Sequence, residues 1–295
     1  MLKNLEFIVD ESQNGITVLS FLHLKNVSNR MIRKLKLINE GITSNGIHIR
    51  TIDKLKFGDI IRLKIIEDEK IPVPAEGEIP QIIYEDESMI VFNKPKSMPV
   101  HQSRGHYTDA LSNYAAAHFL KNNLKSTFRA INRLDRDTTG IVIAAKNQYA
   151  ANKLSMCVIN KKYLAVVNGK LKNNGEINAP IKRKEGSIIE RKVDEKGAFA
   201  LTKYKVLKCK NDITLLEVEL ATGRTHQIRV HFAYIGHPLV GDTLYGLSSD
   251  LIDRQALHCS EMIIKHPISS KKICLKADFP EDMKKLIKLE KDYNM

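Results

Sequence analysis

The spacing of apolar residues predicts a helix near the amino terminus. Ser28 is a residue type that caps helices, and Gly41 is one that ends them. Between them apolar residues recur at i, i+4 and i+7, which is one face of a helix: Met31, Leu35 and Ile38. The other face carries four basic residues: Arg30, Arg33, Lys34 and Lys36. The pattern therefore predicts an amphipathic helix with a positively charged outer face.

Strands and then a linker follow this helix. Asn45-Gly46 is the dipeptide best suited to a tight hairpin turn, and residues 60–65 (IIRLKI) form an apolar run of strand length. Residues 67–81 hold three prolines, one glycine and five acids, which is typical of an extended linker. We therefore predict three parts: a small αβ domain over residues 1–70, a linker over 71–81 and a second domain over 82–295.

The second domain mixes strands and helices without a regular order. Apolar or alternating runs predict five strands, at residues 82–84, 89–93, 140–145, 163–167 and 216–220. Periodic apolar residues predict helices capped by Thr108 and by Thr225, and a third helix that runs through Ala151 to Val158. Helices scattered among strands favour an α+β fold over a doubly wound parallel sheet.

Charge adds a candidate partner to this picture. The 295 residues carry a formal net charge of +13, and the pI is about 9.4. A chain this basic favours a polyanion, because phosphate contacts release condensed counterions. A lysine-rich surface that only keeps the protein in solution has the same composition. Charge by itself therefore leaves nucleic-acid binding as one of two readings.

Several protein classes do not fit the sequence. No apolar stretch approaches the length of a membrane span, and the first fifteen residues lack the pattern of a signal peptide. The four cysteines are widely separated and form no C-x-x-C pair, so we expect neither a disulfide framework nor a metal site. We therefore expect a cytoplasmic protein without a membrane partner.

Two clusters of polar residues could carry chemistry. The first, INRLDRDTTG at 131–140, places Asp135 and Asp137 just before a buried strand, where a carboxylate is both fixed and accessible. Spacing alone leaves a surface charge network as the alternative. The second cluster, ATGRTHQIRVH at 221–231, crowds cations at the start of a helix, against its dipole. His226 and His231 are five residues apart and share no helix face, so phosphate contact or capping fits better than zinc.

These clusters resemble the RluA/RluD-type pseudouridine synthases. NRLDRDTTG (132–140) is similar to the family signature HRLDxxTSG, and four further blocks occur in the family's order. They are YEDESMIVFNKPKSMPVH (84–101), KKYLAVVNG (161–169), LATGRTHQIRVHFAYIGHPLVGDTLYG (220–246) and ALHCSEMIIKHP (256–267). Residues 12–66, with NEGITSNGIHI and LKFGDIIRLKI, resemble the RNA-binding module of ribosomal protein S-four.

The resemblance implies a fold and a set of roles. The fold would be a mixed, largely antiparallel sheet with flanking helices. Asp135 matches the catalytic aspartate, Tyr163 the tyrosine that packs on the target base, and Arg229 the arginine that pairs with the aspartate. The remaining candidates would bind substrate, and Arg133 among them would help displace the target base: Arg133, Leu134, Ile228, Arg224, His226 and Lys94.

The implied reaction isomerises uridine to pseudouridine and needs no cofactor or metal. Structured RNA would be the partner, with ribosomal RNA of the large subunit favoured over transfer RNA, and a monomer is the default state. Three residues depart from the family pattern: Asn132 replaces a common His, Thr139 a Ser and Ser97 a Gly. A non-catalytic RNA-binding or ribosome-assembly protein is the first alternative, and a hydrolase that uses Asp135 with Asp137 is the second.

Overall fold

A computed structural model of the chain describes residues 4–65 and 71–287. The strands are β1 (Asn4–Ile8), β2 (Ile42–Ser44), β3 (Ile47–His48), β4 (Ile60–Lys64), β5 (Ile82–Glu85), β6 (Met89–Lys94), β7 (Arg129–Ala130), β8 (Thr139–Ala145), β9 (Asn160–Asn168), β10 (Gly175–Asn178), β11 (Ile181–Arg183), β12 (Arg191–Val193), β13 (Leu201–Lys210), β14 (Ile213–Leu220), β15 (Leu257–Lys265) and β16 (Lys272–Lys276). The helices are α1 (Val18–Leu24), α2 (Asn29–Lys36), α3 (Leu111–Lys121), α4 (Gln148–Ser155), α5 (Gln227–Tyr234) and α6 (Glu281–Ile287).

Residues 4–65 form the amino-terminal unit, which has a sheet of its own. Its four strands lie in the order β1-β4-β2-β3, and every pair is antiparallel. Helices α1 and α2 supply the apolar side chains that pack on this sheet, among them Phe21 and Leu35, which are fully buried. The Ser28 hydroxyl accepts a hydrogen bond from the Met31 amide at 3.3 Å, which confirms the predicted cap of α2.

Ten strands form the main sheet. Eight lie in the order β10-β13-β14-β9-β15-β8-β6-β5, β16 extends from β15, and β7 pairs with β8. Every pair is antiparallel except β8 with β15, which run parallel over two residue pairs. Strands β11 and β12 form a separate hairpin. The prediction of an α+β fold with a mixed, largely antiparallel sheet is confirmed.

The parallel contact between β8 and β15 requires a glycine. Gly140 has φ of +110°, and a Cβ on it would lie 2.2 Å from the carbonyl oxygen of Cys259. Only a residue without a side chain allows the two backbones to approach so closely. Strand β15 is thereby fixed directly beside the loop 131–138, which precedes β8.

Two predicted helix starts are wrong. Helix α3 follows Ala110 rather than Thr108, because the Asn113 side chain accepts a hydrogen bond from the Ala110 amide at 3.2 Å. Helix α5 follows His226, which is in the left-handed region with φ of 57°, so Thr225 does not cap it. The capping residue type occurred one or two positions too early in each case. A side-chain contact marks the start of α3, and a left-handed backbone residue marks that of α5.

Two predicted helix ends are also wrong, and the predicted linker has no regular structure where it is described. Helix α2 ends at Lys36, so Ile38 and Gly41 lie beyond it. Helix α4 ends at Ser155, so Val158 lies beyond it and is exposed. Residues 71–81 contain no helix or strand, while residues 67–70 of the predicted linker lie outside the described residues. Within the described ranges, no helix is long and apolar enough to cross a membrane.

Candidate functional site

The loop between β7 and β8 carries Asp135 and is held from several sides. The Lys94 ammonium donates to the Arg136 carbonyl at 2.8 Å, and the Gln255 amide donates to the Thr138 hydroxyl at 3.1 Å. The Arg254 guanidinium reaches the Asp137 carbonyl at 3.4 Å. These contacts come from β6 and from the segment before β15. The backbone around Asp135 is therefore fixed, which is what a reacting carboxylate needs.

Asp135, Arg229 and Asp242 form a chain of ion pairs. Arg229 Nη1 donates to Asp135 Oδ2 at 2.9 Å, while its Nε and Nη2 donate to the two oxygens of Asp242 at 2.7 and 2.8 Å. The Asp242 side chain is fully buried, and the Asp135 side chain keeps 29% of its exposure. Arg229 is thus held by a bidentate contact with the buried carboxylate of Asp242, and its Nη1 donates to the partly exposed carboxylate of Asp135.

Electrostatics keep Arg229 charged although it is buried. Burial alone would lower the pKa of its guanidinium, but the carboxylates of Asp242 and Asp135 raise that pKa above its ordinary value. The ring of Tyr245 packs against the guanidinium, 5.1 Å from its central carbon to the ring centroid. Arg229 is therefore a fixed cation at every pH of interest.

His226 completes the wall of the site on the same side. Its Nε2 lies 3.6 Å from Asp135 Oδ2, and its Nδ1 lies 2.8 Å from the Tyr245 hydroxyl. Burial lowers the pKa of His226, with the charge of Arg229 acting in the same direction and that of Asp135 against it. The imidazole is consequently neutral at pH 7, and Arg229 is the cation that faces Asp135.

Tyr163 lies on β9, in the middle of the main sheet. It pairs with Cys259 of β15 in the strand register and is 6% exposed. Burial raises the pKa of Tyr163 well above its ordinary value, and Cys259 and Asp135 add to this effect. The phenol is therefore neutral at physiological pH, with a hydroxyl that can hold or donate a proton.

An open cavity connects these groups. The residues that line it come from three places, namely the Asp135 loop, the start of α5 and the central strands: Arg133, Leu134, Asp135, Thr138, Tyr163, Leu220, Arg224, His226, Gln227, Ile228, Arg229 and Leu257. Leu134 and Ile228 give it apolar walls, while Asp135 and Arg229 supply charge. The structure therefore brings eight of the nine predicted site residues together.

Lys94 is the predicted site residue that the structure does not bring into the cavity. Its side chain is fully buried, and Nζ donates to three backbone carbonyls at 2.8 Å, those of Pro95, Met98 and Arg136. All three ammonium donors are satisfied inside the protein, so none remains for a ligand. Lys94 supports the Asp135 loop instead of contacting substrate.

The three departures from the family pattern also lie outside the cavity. Asn132 is buried and bridges the Ile141 carbonyl and the Ile143 amide, at 3.0 and 2.9 Å. The Thr139 hydroxyl lies 2.9 Å from Nδ1 of His258. Ser97 has φ of 59°, in the region where glycine is favoured. These residues shape backbone near the site and do not line the cavity.

Sequence reasoning missed Asp242 and Tyr245, which hold Arg229 and His226 in place. Both fall in the GDTLYG segment, which ends one of the recognised blocks. Nothing in their spacing links them to Arg229, which is 13 positions before Asp242 and 16 before Tyr245. The Asp242 carboxylate also accepts from the amides of Leu244 and Tyr245, so one turn orients both residues.

A larger cavity lies elsewhere and has a different character. It is lined by Glu85, Asp86, Glu87, Leu124, Ser126 and Lys146, and its volume is about 320 Å³. Its predominantly acidic lining does not suit a polyanion. Of these two cavities, the Asp135 cavity is the one that combines a carboxylate, a fixed cation and an aromatic ring. Among the described residues, no group of His, Cys, Asp and Glu side chains is arranged to hold a metal ion.

Comparison with known proteins shows which family the chain is similar to. A sequence model described as RNA pseudouridylate synthase matches residues 88–234. The Bacillus subtilis strain 168 protein YjbO, named an uncharacterized RNA pseudouridine synthase, is 37% identical over 93% of this chain and 99% of its own length. Ribosomal large subunit pseudouridine synthase D of Zymomonas mobilis is 34% identical over 93% of this chain and 90% of its own length.

A solved structure supports the same fold. Human RNA pseudouridylate synthase domain containing 1 superimposes with a TM-score of 0.56, at 23% identity, over 72% of this chain and 86% of that one. The family segment includes Asp135, Tyr163 and Arg229, and YjbO is similar along nearly the whole chain. The chain therefore belongs to the RNA pseudouridine synthase family.

Proposed function

We propose that this pseudouridine synthase modifies structured RNA with Asp135 as its catalytic carboxylate. The observation that carries the proposal is the ion-pair chain from buried Asp242 through Arg229 to Asp135. It directs a partly exposed carboxylate into a cavity that an aromatic residue, Tyr163, also lines. Isomerisation of uridine has no redox step and no leaving phosphate, so these side chains are sufficient for it.

The chemistry assigns a separate task to each group. Uracil is detached from its ribose, turned and rejoined through carbon 5, and Asp135 acts as nucleophile or base in that sequence. Three routes remain open: attack on the sugar, attack on the base, and removal of a ribose proton to give a glycal. Arg229 orients the carboxylate in all three. Tyr163 packs on the base, and its neutral hydroxyl handles a proton.

The target nucleotide must leave its stack before it can reach Asp135. Flipping a base costs a few kcal/mol, and a basic surface offsets part of that cost. Arg133 is exposed at the cavity rim, and within the described ranges it has no ion-pair partner. We assign to Arg133 the displacement of the target base. Leu134 and Ile228 would then flank the inserted uracil, and Arg224 and His226 would contact its nucleotide.

Large-subunit ribosomal RNA is the substrate that we favour. The Zymomonas mobilis relative is named for the ribosomal large subunit, and its similarity covers most of both chains. The sequence of the amino-terminal unit resembles the RNA-binding module of ribosomal protein S-four. This unit would give the protein a second RNA-binding surface, which suits a large folded RNA. Transfer RNA is the alternative substrate. We expect a monomer in the cytoplasm.

A pseudouridine map of cellular RNA tests this proposal. Carbodiimide adducts are read by primer extension in cells that lack the gene and carry wild type, Asp135→Ala or Asp137→Asn. Asp137 is the matched control, because it lies in the same loop but pairs with the exposed Arg136 at 3.0 Å. We expect wild type and Asp137→Asn to restore one or a few ribosomal signals, and Asp135→Ala to restore none.

The other outcomes separate the alternatives. Loss confined to transfer RNA would keep the enzyme and replace its substrate. Restoration by Asp135→Ala would remove Asp135 from the chemistry. An unchanged map in cells that express the gene would favour a non-catalytic RNA-binding protein. Release of free uracil by purified enzyme would favour a hydrolase, because a synthase rejoins the base.

A further inference from the structure

Helix α4 of the main sheet domain is packed into the amino-terminal unit. Tyr149 of α4 is 4% exposed, belongs to the apolar core of that unit, and lies 6.1 Å from Phe7 between ring centroids. Its hydroxyl donates to the Lys25 carbonyl at 3.3 Å, and Asn152 Nδ2 donates to the Asn26 carbonyl at 2.7 Å. We call this contact the α4 junction. The two parts of the chain therefore meet through defined apolar and polar contacts.

The segments that meet at the α4 junction have an unusual charge. Residues 18–39 and 146–162 contain no Asp or Glu, although the chain has 34 acids in 295 residues and such a length would carry about four. They contain nine basic residues: Lys25, Arg30, Arg33, Lys34, Lys36, Lys146, Lys153, Lys161 and Lys162. Lys146 pairs with Glu85 and Lys162 with Glu217, so those two are neutralised locally. The two segments are thus basic by composition, and Lys25 and Lys153 are the basic residues next to the junction contacts.

Two lysines lie on the two sides of the junction, Lys25 in the amino-terminal unit and Lys153 in α4. The Lys25 ammonium lies 5.0 Å from the ring centroid of Phe21, and the Lys153 ammonium lies 5.6 Å from that of Tyr149. Burial lowers the pKa of Lys153, Cys157 acts against this effect, and the charge of Lys25 lowers the pKa further. Within residues 4–65 and 71–287 no carboxylate forms an ion pair with either. Two like charges are thus held near each other without an ion-pair partner among those described residues.

We propose that the α4 junction is a phosphate-binding face on which one RNA bridges the amino-terminal unit and α4. This inference rests on the proposed function, because it takes RNA as the substrate. Like charges oppose the docking of the two parts, and a bound polyanion reverses that opposition. RNA binding and docking therefore strengthen each other, as linkage requires.

The position of α4 relative to the catalytic loop gives this face a function. Strand β8 begins directly after the Asp135 loop, and α4 begins three residues after β8 ends. An RNA segment bound at the α4 junction is consequently held at a set distance from Asp135. The face contributes to selection of the target uridine, whereas the residues around Asp135 carry out the reaction.

Salt dependence of RNA affinity tests the proposal in the full-length protein. The variant Lys25→Gln/Lys153→Gln removes one charge from each side, and the control Lys172→Gln/Lys205→Gln removes two exposed charges near the far edge of the sheet. The probe is a structured transcript of large-subunit ribosomal RNA, and pseudouridine formation on it is assayed separately. Each lost phosphate contact lowers the slope of log affinity against log salt by about 0.7 to 0.9.

For the junction variant we expect the slope of log affinity against log salt to be shallower by about 1.5. When salt is raised from about 50 to 200 mM, the loss of RNA affinity should therefore be roughly tenfold smaller in the variant than in wild type. The control should keep the wild-type slope. Hydrogen exchange of α1 and α4 amides should slow on RNA binding in wild type, and less in the junction variant. Retained thermal stability and turnover on a short single-stranded RNA would show that the variant folds.

The outcomes distinguish this inference from the proposed function. A junction variant with the wild-type slope, in a protein that forms pseudouridine, would overturn the phosphate-binding face and leave the enzyme intact. Equal slope losses in the junction variant and the control would overturn it as well, because the charge would then act non-specifically. A shallower slope only in the junction variant, in a protein that modifies no RNA, would support the face and contradict the proposed function.

Discussion

Replacing Asp242 by Asn tests whether the buried clamp on Arg229 is needed for both stability and catalysis. The wild-type carboxylate accepts two charge-assisted hydrogen bonds from Arg229, at 2.7 and 2.8 Å, in a fully buried position. Such bonds are worth about 1.5–3 kcal/mol each. Asn has a single acceptor oxygen and turns its amide group toward the guanidinium. One bond is therefore lost and the other weakened, which predicts destabilisation of about 2–4 kcal/mol.

The catalytic effect follows from the same geometry. Asp242 also accepts from the amides that place Tyr245, whose ring packs on Arg229. A loosened Arg229 no longer fixes Asp135, and a displacement of about 1 Å at a reacting group costs about a hundredfold in rate. We expect kcat on an RNA substrate to fall about a hundredfold. RNA affinity should be nearly unchanged, because Asp242 does not line the cavity.

Thermal unfolding and single-turnover pseudouridine formation measure the two effects. Glu6→Gln is the control, because it removes a carboxylate that pairs with Arg62 at 2.7 Å on the surface. That pair contributes less than about 1 kcal/mol, so the control should behave as wild type. An Asp242→Asn protein that unfolds like the control and reacts at the wild-type rate would refute the role of Asp242 in holding Arg229.

Two further predictions concern the backbone near the site and the pH dependence of stability. Gly140→Ala should destabilise the protein by about 3 kcal/mol or more and reduce activity, because the added Cβ would meet the Cys259 carbonyl at 2.2 Å; unchanged thermal unfolding would contradict this. Burial alone would raise the pKa of Asp86, but hydrogen bonds from the Ser88 and Met89 amides lower it to about 2. The carboxylate therefore stabilises the fold above its unfolded pKa near 4, and this contribution is lost as pH falls toward 2. Urea unfolding should show a stability gap between wild type and Asp86→Asn at about pH 7 that narrows by about pH 3, and a constant gap would contradict the assignment.

The sequence by itself determined the class of fold and most of the candidate site. Apolar runs identified the central strands β8, β9 and β14, because a strand buried in a sheet must be apolar wherever it meets the core. The order of five motif blocks supplied Asp135, Tyr163 and Arg229, which lie together in the structure although 94 residues separate the first from the last. Local patterns and recognised motifs therefore reached the groups that face the cavity.

Only the tertiary structure decided which residues support those groups. Asp242, Tyr245 and the Lys94 ammonium act through contacts with residues 13, 16 and 42 positions away, and no local pattern records such contacts. The same holds for the starts of α3 and α5, where the Asn113 side chain and the left-handed backbone of His226 stand at boundaries that capping residues did not predict. The α4 junction depends in the same way on the packing of Tyr149 into a core formed by residues more than 80 positions away. Residue type and spacing are local quantities, whereas support, burial and charge proximity arise only when the chain has folded.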